Sequence, residues 1–396
     1  MKIFSLRKFP VRNKTVLLRV DYNVPIENNK IKDNTKILTS IPTIKFLLKQ
    51  NCKIIIATHL GRPEGQVIKE LRLNVIKNSL KKLFPKENIV KFNDCIGKEI
   101  KLKIKNAKTT KIFLLENLRF YEEEQNNHPA FAHSLAELAN IYVNESFSVS
   151  HRKEASIEAI TNFLPSIAGL QFEKEIFYLN KALKPKKPAI WLMGGAKLDK
   201  VDLIKQSLSK SNKVLIGGAL AFSFLKAKGY KVGLSKVDST STIIAKKILK
   251  KWSSRKLVLP LDFIVTNKFN SRAKEEIVKF NQIKQGQIAL DIGPETIKLF
   301  CKHLIKAKTI VWNGPMGYFE WSKYSKGTKE VGRFLGKVNA NKIAGGGETS
   351  EAIHRFHLTH NLTHISTAGG ASLTFLSGKE MPGIKALERS YKKLKP

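Results

Sequence analysis

Short apolar runs recur along the chain, and each stops abruptly at polar or glycine residues before a segment with helical spacing begins. In the first half such runs predict strands at 16–21, 53–57, 111–115 and 141–143. Ile37, Ile41, Ile44, Leu47 and Leu48 predict a helix over 35–50. The second half repeats the pattern at 189–193, 213–216, 256–261, 309–312, 342–344 and 363–366, with Leu198, Val201, Leu203 and Ile204 at roughly helical spacing after the first run. Between the halves, Leu170, Ile176, Leu179 and Leu183 mark a helix over 169–183 that ends in Lys184-Pro185-Lys186-Lys187-Pro188, the clearest domain boundary. Strands alternating with helices argue for an α/β protein built on parallel, helix-covered sheets.

The residues just past the strands differ between the halves. In the first, the strand ends deliver Arg19, Asp21, Asn23, His59, Arg62, Arg119, His151 and Arg152. Any one of these is ordinarily a surface group. Their repeated placement where open α/β sheets take ligands suggests an anionic ligand, because the guanidinium fork matches carboxylate and phosphate. In the second half the strands run into glycines: 194 and 195, 217 and 218, 314, 345 to 347, and 369 and 370. Gly194 and Gly195, with Lys197 and Lys200 one turn on, fit a phosphate held at a helix N-terminus. They also fit a tight strand-to-helix turn that needs small residues, with solvated lysines. Recurrence over five strand ends favours a nucleotide-phosphate site, although neither the dinucleotide nor the P-loop fingerprint occurs. The histidines at 354, 357, 360 and 364 do not hold one helix face, so no metal site is read from them.

Composition changes this picture little. With 396 residues and 42% hydrophobic content, the chain can bury the cores of two or three domains. The net charge of +39 is the usual footprint of nucleic-acid binding, but the lysines are scattered among abundant Asn and Ile as codon drift would leave them. Only non-specific polyanion adhesion is expected, with no specific nucleic-acid partner. Three separated cysteines indicate neither disulfides nor zinc, no run suggests a membrane span, and the N-terminal residues lack a signal-peptide core. A cytoplasmic protein is expected.

Taken together, RVDYNVP at 19–25, THLGRP at 58–63, LLENLRF at 114–120, YVNESFSVSHR at 142–152, GGAKLDK at 194–200, DIGPET at 291–296, WNGPMGYFE at 312–320, GGGETS at 345–350 and STAGGAS at 366–372 resemble the phosphoglycerate kinase family over essentially the whole chain. The resemblance implies two Rossmann-like parallel-sheet domains facing across a hinged cleft. They would be an N-terminal domain over 1–168, to which 378–396 returns, an interdomain helix over 169–184, and a nucleotide-binding domain over 185–377. It implies a monomer that moves a phosphoryl group between 1,3-bisphosphoglycerate and ADP, giving 3-phosphoglycerate and ATP, with Mg²⁺ carried by the nucleotide. The substrate would meet Asp21, Tyr22, Asn23, Lys36, His59, Leu60, Gly61, Arg62, Arg119 and Arg152. The nucleotide would meet Lys197, Lys200, Gly217, Gly218, Asn313, Glu320, Gly346, Gly347, Glu348 and Thr349, with Glu348 toward the metal and Glu320 on the ribose. Lys36, Lys197, Lys200, Gly347 and Gly370 would serve the transfer itself.

Several positions depart from the family pattern. Lys36 stands where arginine is usual, Glu348 where aspartate is, and GGAKLDK is one residue shorter than its counterpart, which brings Lys197 and Lys200 to a spacing of three. Ser148 and Glu154 are lesser changes around Arg152. An active kinase is the main reading. The alternative is a kinase-like protein with little turnover, retained for ligand or partner binding.

Overall fold

The structure is a computed structural model that describes residues 2–195, 201–252 and 256–395. Two compact units account for it, one running to Ile176 and resumed from Glu380, the other spanning Phe177–Lys379. The helix Leu170–Leu183 passes from the first to the second without a break.

A six-stranded parallel sheet forms the centre of the first unit, in the order Ile89–Lys91, Ile112–Leu114, Lys53–Ala57, Thr15–Arg19, Ile141–Asn144, Ser166–Ala168. Its strands read as unbroken apolar runs because both faces are covered. Leu18 and Ile56 lie in one core cluster, while Leu17, Ile55, Phe113 and Tyr142 lie in the other. Arg19 pairs with Ala57 on one side and Asn144 on the other, and Ile56 pairs with Leu114, so four strand ends stop level at one edge.

The second unit repeats the plan with Leu257–Val258, Lys213–Ile216, Ala189–Met193, Thr309–Asn313, Asn341–Ala344 and His364–Ile365. Met193 pairs with Ile216 and Asn313, Trp312 with Ala344, and Ala344 with Ile365, which aligns the glycine-bearing ends. The two parallel sheets are those expected.

Differences are local. The strand expected over 16–21 ends at Arg19, and the one expected over 256–261 is confined to Leu257–Val258, ahead of Pro260, which has no N–H to donate. A three-stranded antiparallel sheet of Asp262–Thr266, Glu275–Lys279 and Ile288–Ile292 lies outside the alternating pattern. Glu275–Lys279 is largely exposed and polar, so no apolar run marks it. The helix Gly347–Arg355 stops before Asn361, and His357 has a φ of 55°, so the histidines at 354, 357, 360 and 364 fall in a helix, a turn, a 3-10 segment and a strand.

The C-terminal helix Pro382–Leu394 closes the first unit. Ser166 N donates to Ser390 Oγ at 2.9 Å, Gly383 N donates to Ser150 O at 2.9 Å, and a Cβ at Gly383 would lie 2.7 Å from that of Ser150. Only glycine lets the helix approach this closely, and the contact braces the loop that carries Arg152.

Candidate functional site

In the first unit the level strand ends carry a dense polar cluster. Lys36 Nζ donates to Asp21 Oδ2 at 2.8 Å, and Ser148 Oγ donates to the same oxygen at 2.5 Å. Burial alone would raise the Asp21 carboxyl, but the Lys36 charge and the hydrogen bonds from Lys36 and Ser148 hold it well below the usual carboxylate range. Asn23 Oδ1 accepts from Gly61 N at 3.0 Å, tying together the turns after two neighbouring strands. His59 is buried, and burial together with Arg19 pushes its pKa well down. Arg19 Nη2 lies 3.3 Å from His59 Nδ1, and since a guanidinium only donates, Nδ1 accepts and the ring proton sits on Nε2.

The arginines divide into two kinds. Arg62 is exposed and Arg152 half-buried. Arg19 is fully buried and internally engaged, with Nε on Ser156 Oγ at 2.7 Å and Nη1 on Val20 O at 2.5 Å. Arg119 is 2% exposed, and gives Nη1 to Gly61 O at 3.0 Å and Nη2 to Glu154 Oε1 at 2.8 Å. Tyr22 and Leu60 are core residues, and the Tyr22 hydroxyl lies 2.7 Å from Ser40 Oγ. Among the described residues, the buried side-chain atoms without a hydrogen-bond partner include Arg119 Nε, His151 Nδ1, Arg152 Nε and Glu154 Oε2. Such atoms are rare in a finished interior, and these four belong to one strand edge. In the sequence Ser148 and Glu154 stand out only as neighbours of Arg152. Their contacts with Asp21 and Arg119 arise from chain segments far apart in sequence and carry no local signal.

In the second unit the glycine loops pack main chain against main chain. Gly194 N donates to Asn313 O at 2.8 Å, Gly195 N to Pro315 O at 2.9 Å, and Gly218 N to Met316 O at 2.9 Å. A Cβ at Gly218 would lie 2.7 Å from Gly195 N, and one at Gly314, where φ is 91°, would collide with the Gly194 carbonyl. Close backbone packing therefore accounts for Gly194, Gly218 and Gly314. The same loops wall a cavity of about 530 Å³ lined by Gly218, Phe222, Phe263, Tyr318, Glu320 and Glu348 among others. Apolar and aromatic walls with a few polar groups are the makeup of a small-ligand pocket.

Gly346, with φ of 105°, precedes the helix Gly347–Arg355, so that Gly347, Glu348 and Thr349 form its first turn. The first N–H groups of a helix have no partner within it and favour anions. Glu348 is exposed there, whereas Thr349 and Asn313 are buried braces, Thr349 Oγ1 accepting from Gly314 N at 2.7 Å and Asn313 Nδ2 donating to Gly345 O at 2.5 Å. Gly217 is packed against Met316, and Gly370 opens the helix Gly370–Leu376. Lys197 and Lys200 lie outside the described residues. Among the described residues no group of three His, Cys, Asp or Glu side chains is placed to hold a metal ion. A lone carboxylate such as Glu348 suits Mg²⁺ that arrives with most of its oxygen ligands supplied by phosphates and water.

A basic strand edge in one unit and a glycine-walled cavity in the other are the parts of a two-substrate phosphotransferase. The sequence profile described as phosphoglycerate kinase matches residues 6–379. Phosphoglycerate kinase of Moorella thermoacetica is 41% identical over 98% of this chain and 99% of its own, and that of Dictyoglomus turgidum is 42% identical over 98% of both. The solved phosphoglycerate kinase of Coxiella burnetii superposes with a TM-score of 0.89 at 33% identity, covering 99% of this chain and 100% of its own. The enzyme from Pyrococcus horikoshii gives 0.84 at 30%, with the same coverage. The chain belongs to the phosphoglycerate kinase family.

Proposed function

We propose that this chain transfers a phosphoryl group reversibly between 1,3-bisphosphoglycerate and ADP, yielding 3-phosphoglycerate and ATP. Family membership supports the reaction, and the observation that carries the site is the set of buried side-chain nitrogens left without hydrogen-bond partners at the first strand edge: Arg119 Nε, His151 Nδ1 and Arg152 Nε. In this reading 3-phosphoglycerate lies against Asn23, His59, Arg62, Arg119 and Arg152. Asp21 takes part by orienting Lys36, and Tyr22, Leu60 and Gly61 shape the turns. The acceptor in the reverse direction is a carboxylate already ionised at neutral pH, so no general base is required. Catalysis then rests on alignment and on charge stabilisation, with Lys36 directed to the transferring group.

The nucleoside would occupy the second unit's cavity, with Glu320 toward the ribose. Its phosphates would run along Gly217 and Gly218 to the first turn at Gly346, Gly347 and Thr349, near Asn313, with Lys197, Lys200 and Gly370 completing the charge complement. Glu348 would hold Mg²⁺, which neutralises phosphate charge when bound. Hinged closure is the expected means of excluding water from an acyl phosphate. Charged phosphate esters of this kind do not cross bilayers, which fits a cytoplasmic setting, and no helix among the described residues is long and apolar enough to span a membrane.

The test is calorimetry with 3-phosphoglycerate on the unmodified protein and on Arg62→Ala. The first should bind saturably, and the second should bind more weakly by about 1.5–3 kcal/mol, the range for a charge-assisted hydrogen bond. Absence of binding to the unmodified protein would overturn the proposal.

A further inference from the structure

We propose that Glu154 is a built-in competitor for the substrate's anionic end, bound to Arg119 and having to be displaced from it when 3-phosphoglycerate binds. The inference rests on the function proposed above and adds a residue that sets its affinity.

Arg119 comes after the strand Ile112–Leu114 and lies almost wholly out of solvent, with one Nη on the Gly61 carbonyl and the other on Glu154. Only its Nε remains unpartnered. Glu154 is 3% exposed; Oε1 accepts from Arg119, while Oε2 has no hydrogen bond and stands 3.7 Å from Arg19 Nη2. Arg19 also faces Glu124 at 3.7 Å. Two buried guanidiniums are thus matched by two buried carboxylates. A carboxylate in that position takes up, through one oxygen, an Arg119 donor that a substrate carboxylate or phosphate would otherwise take.

A purely structural role would read differently. Glu124 is locked by Ser156, whose N donates at 2.8 Å and Oγ at 2.5 Å, and it behaves as an internal counter-ion to Arg19. Among the described residues Glu154 has no such hydroxyl or amide anchor: its Oε2 accepts no hydrogen bond and stands 3.7 Å from Arg19 Nη2. Removing a structural ion pair weakens a site. Removing a competing anion strengthens it, because like charges brought together across a binding surface oppose association.

Glu154→Gln keeps the shape and an oxygen that can accept from Arg119, and removes the charge. The expected result is binding of 3-phosphoglycerate about fivefold or more tighter than in the unmodified protein, with tighter binding of sulfate as a plain dianion. In steady-state assays KM for 3-phosphoglycerate should fall by more than kcat changes. A folded variant with equal or weaker affinity would overturn the proposal. If the variant does not fold, a crystal structure of the unmodified protein with 3-phosphoglycerate decides: Arg119 and Glu154 should separate beyond 4 Å, and a retained contact at the 2.8 Å seen here would overturn it. Failure of the unmodified protein to bind 3-phosphoglycerate at all would instead remove the functional reading on which the inference stands.

Discussion

Lys36 is the residue on which the rate should turn. Its ammonium is tied to an Asp21 carboxylate that also takes a hydrogen bond from Ser148, and it is one-third exposed, so it is anchored at its tip while the stem stays wet. An ammonium acts as a point charge, whereas a guanidinium reaches two oxygens of a loose phosphoryl-transfer transition state at once. Lys36→Arg should therefore raise kcat with a much smaller effect on KM, measured in a coupled assay saturated with the other substrate. An unchanged or lower kcat, with the unmodified protein turning over well, would mean that the site has adjusted to lysine. At this scale the sequence shows which residues stand at strand ends, and nothing more. Arg19 and Arg62 look alike in sequence. The first is sealed inside and the second is exposed, because Glu124 and Ser156 reach Arg19 from segments that no local pattern connects.

Strands and helices are legible in the sequence where burial on both faces forces an apolar run, and illegible where an element is short or wet, as Ile89–Lys91 and Glu275–Lys279 show. The glycine-bearing ends are legible as positions, while the close backbone packing that requires Gly194, Gly218 and Gly314 emerges only where the loops meet in space. Gly314→Ala tests that reason. The substitution combines a positive φ with a collision against the Gly194 carbonyl, so melting temperature should fall by several degrees, equivalent to roughly 1–3 kcal/mol of strain, and nucleotide affinity should fall with it. A variant that melts like the parent would refute the packing account.

The N-terminus of the helix Leu170–Leu183 gives a pH prediction. Glu145 accepts from Thr43 Oγ1 at 2.5 Å and from Gln171 N at 3.2 Å, and burial raises its carboxyl from 4.5 to about 8 against those hydrogen bonds. The folded state then holds this proton more tightly than the unfolded chain does. The group's contribution is fully present below pH 4.5 and is lost as pH rises through about 8, with a slope of at most ~1.4 kcal/mol per pH unit. Glu145→Gln should flatten the decline in stability between those limits, read as melting temperature from pH 5 to 8.5. Parallel curves for variant and parent would show that Glu145 is ionised throughout.

Over the whole molecule, the +39 charge has no counterpart in a localised nucleic-acid motif, and the two sheets account for the architecture without it. Binding to DNA or RNA should therefore show no sequence preference and should fade steeply between low and physiological salt, as counter-ion release requires. A sequence-selective complex that survives physiological salt would contradict this. The two sheet edges themselves, basic in one unit and glycine-walled in the other, state the central claim: a chain with both half-sites transfers a phosphoryl group between their ligands. The most direct measurement is ADP formation from ATP and 3-phosphoglycerate in the presence of Mg²⁺. The account predicts turnover that saturates in both substrates and disappears when either is omitted. Binding of both ligands by calorimetry with no turnover, in the unmodified protein and in Lys36→Arg alike, would contradict it and leave a binding protein on a kinase fold.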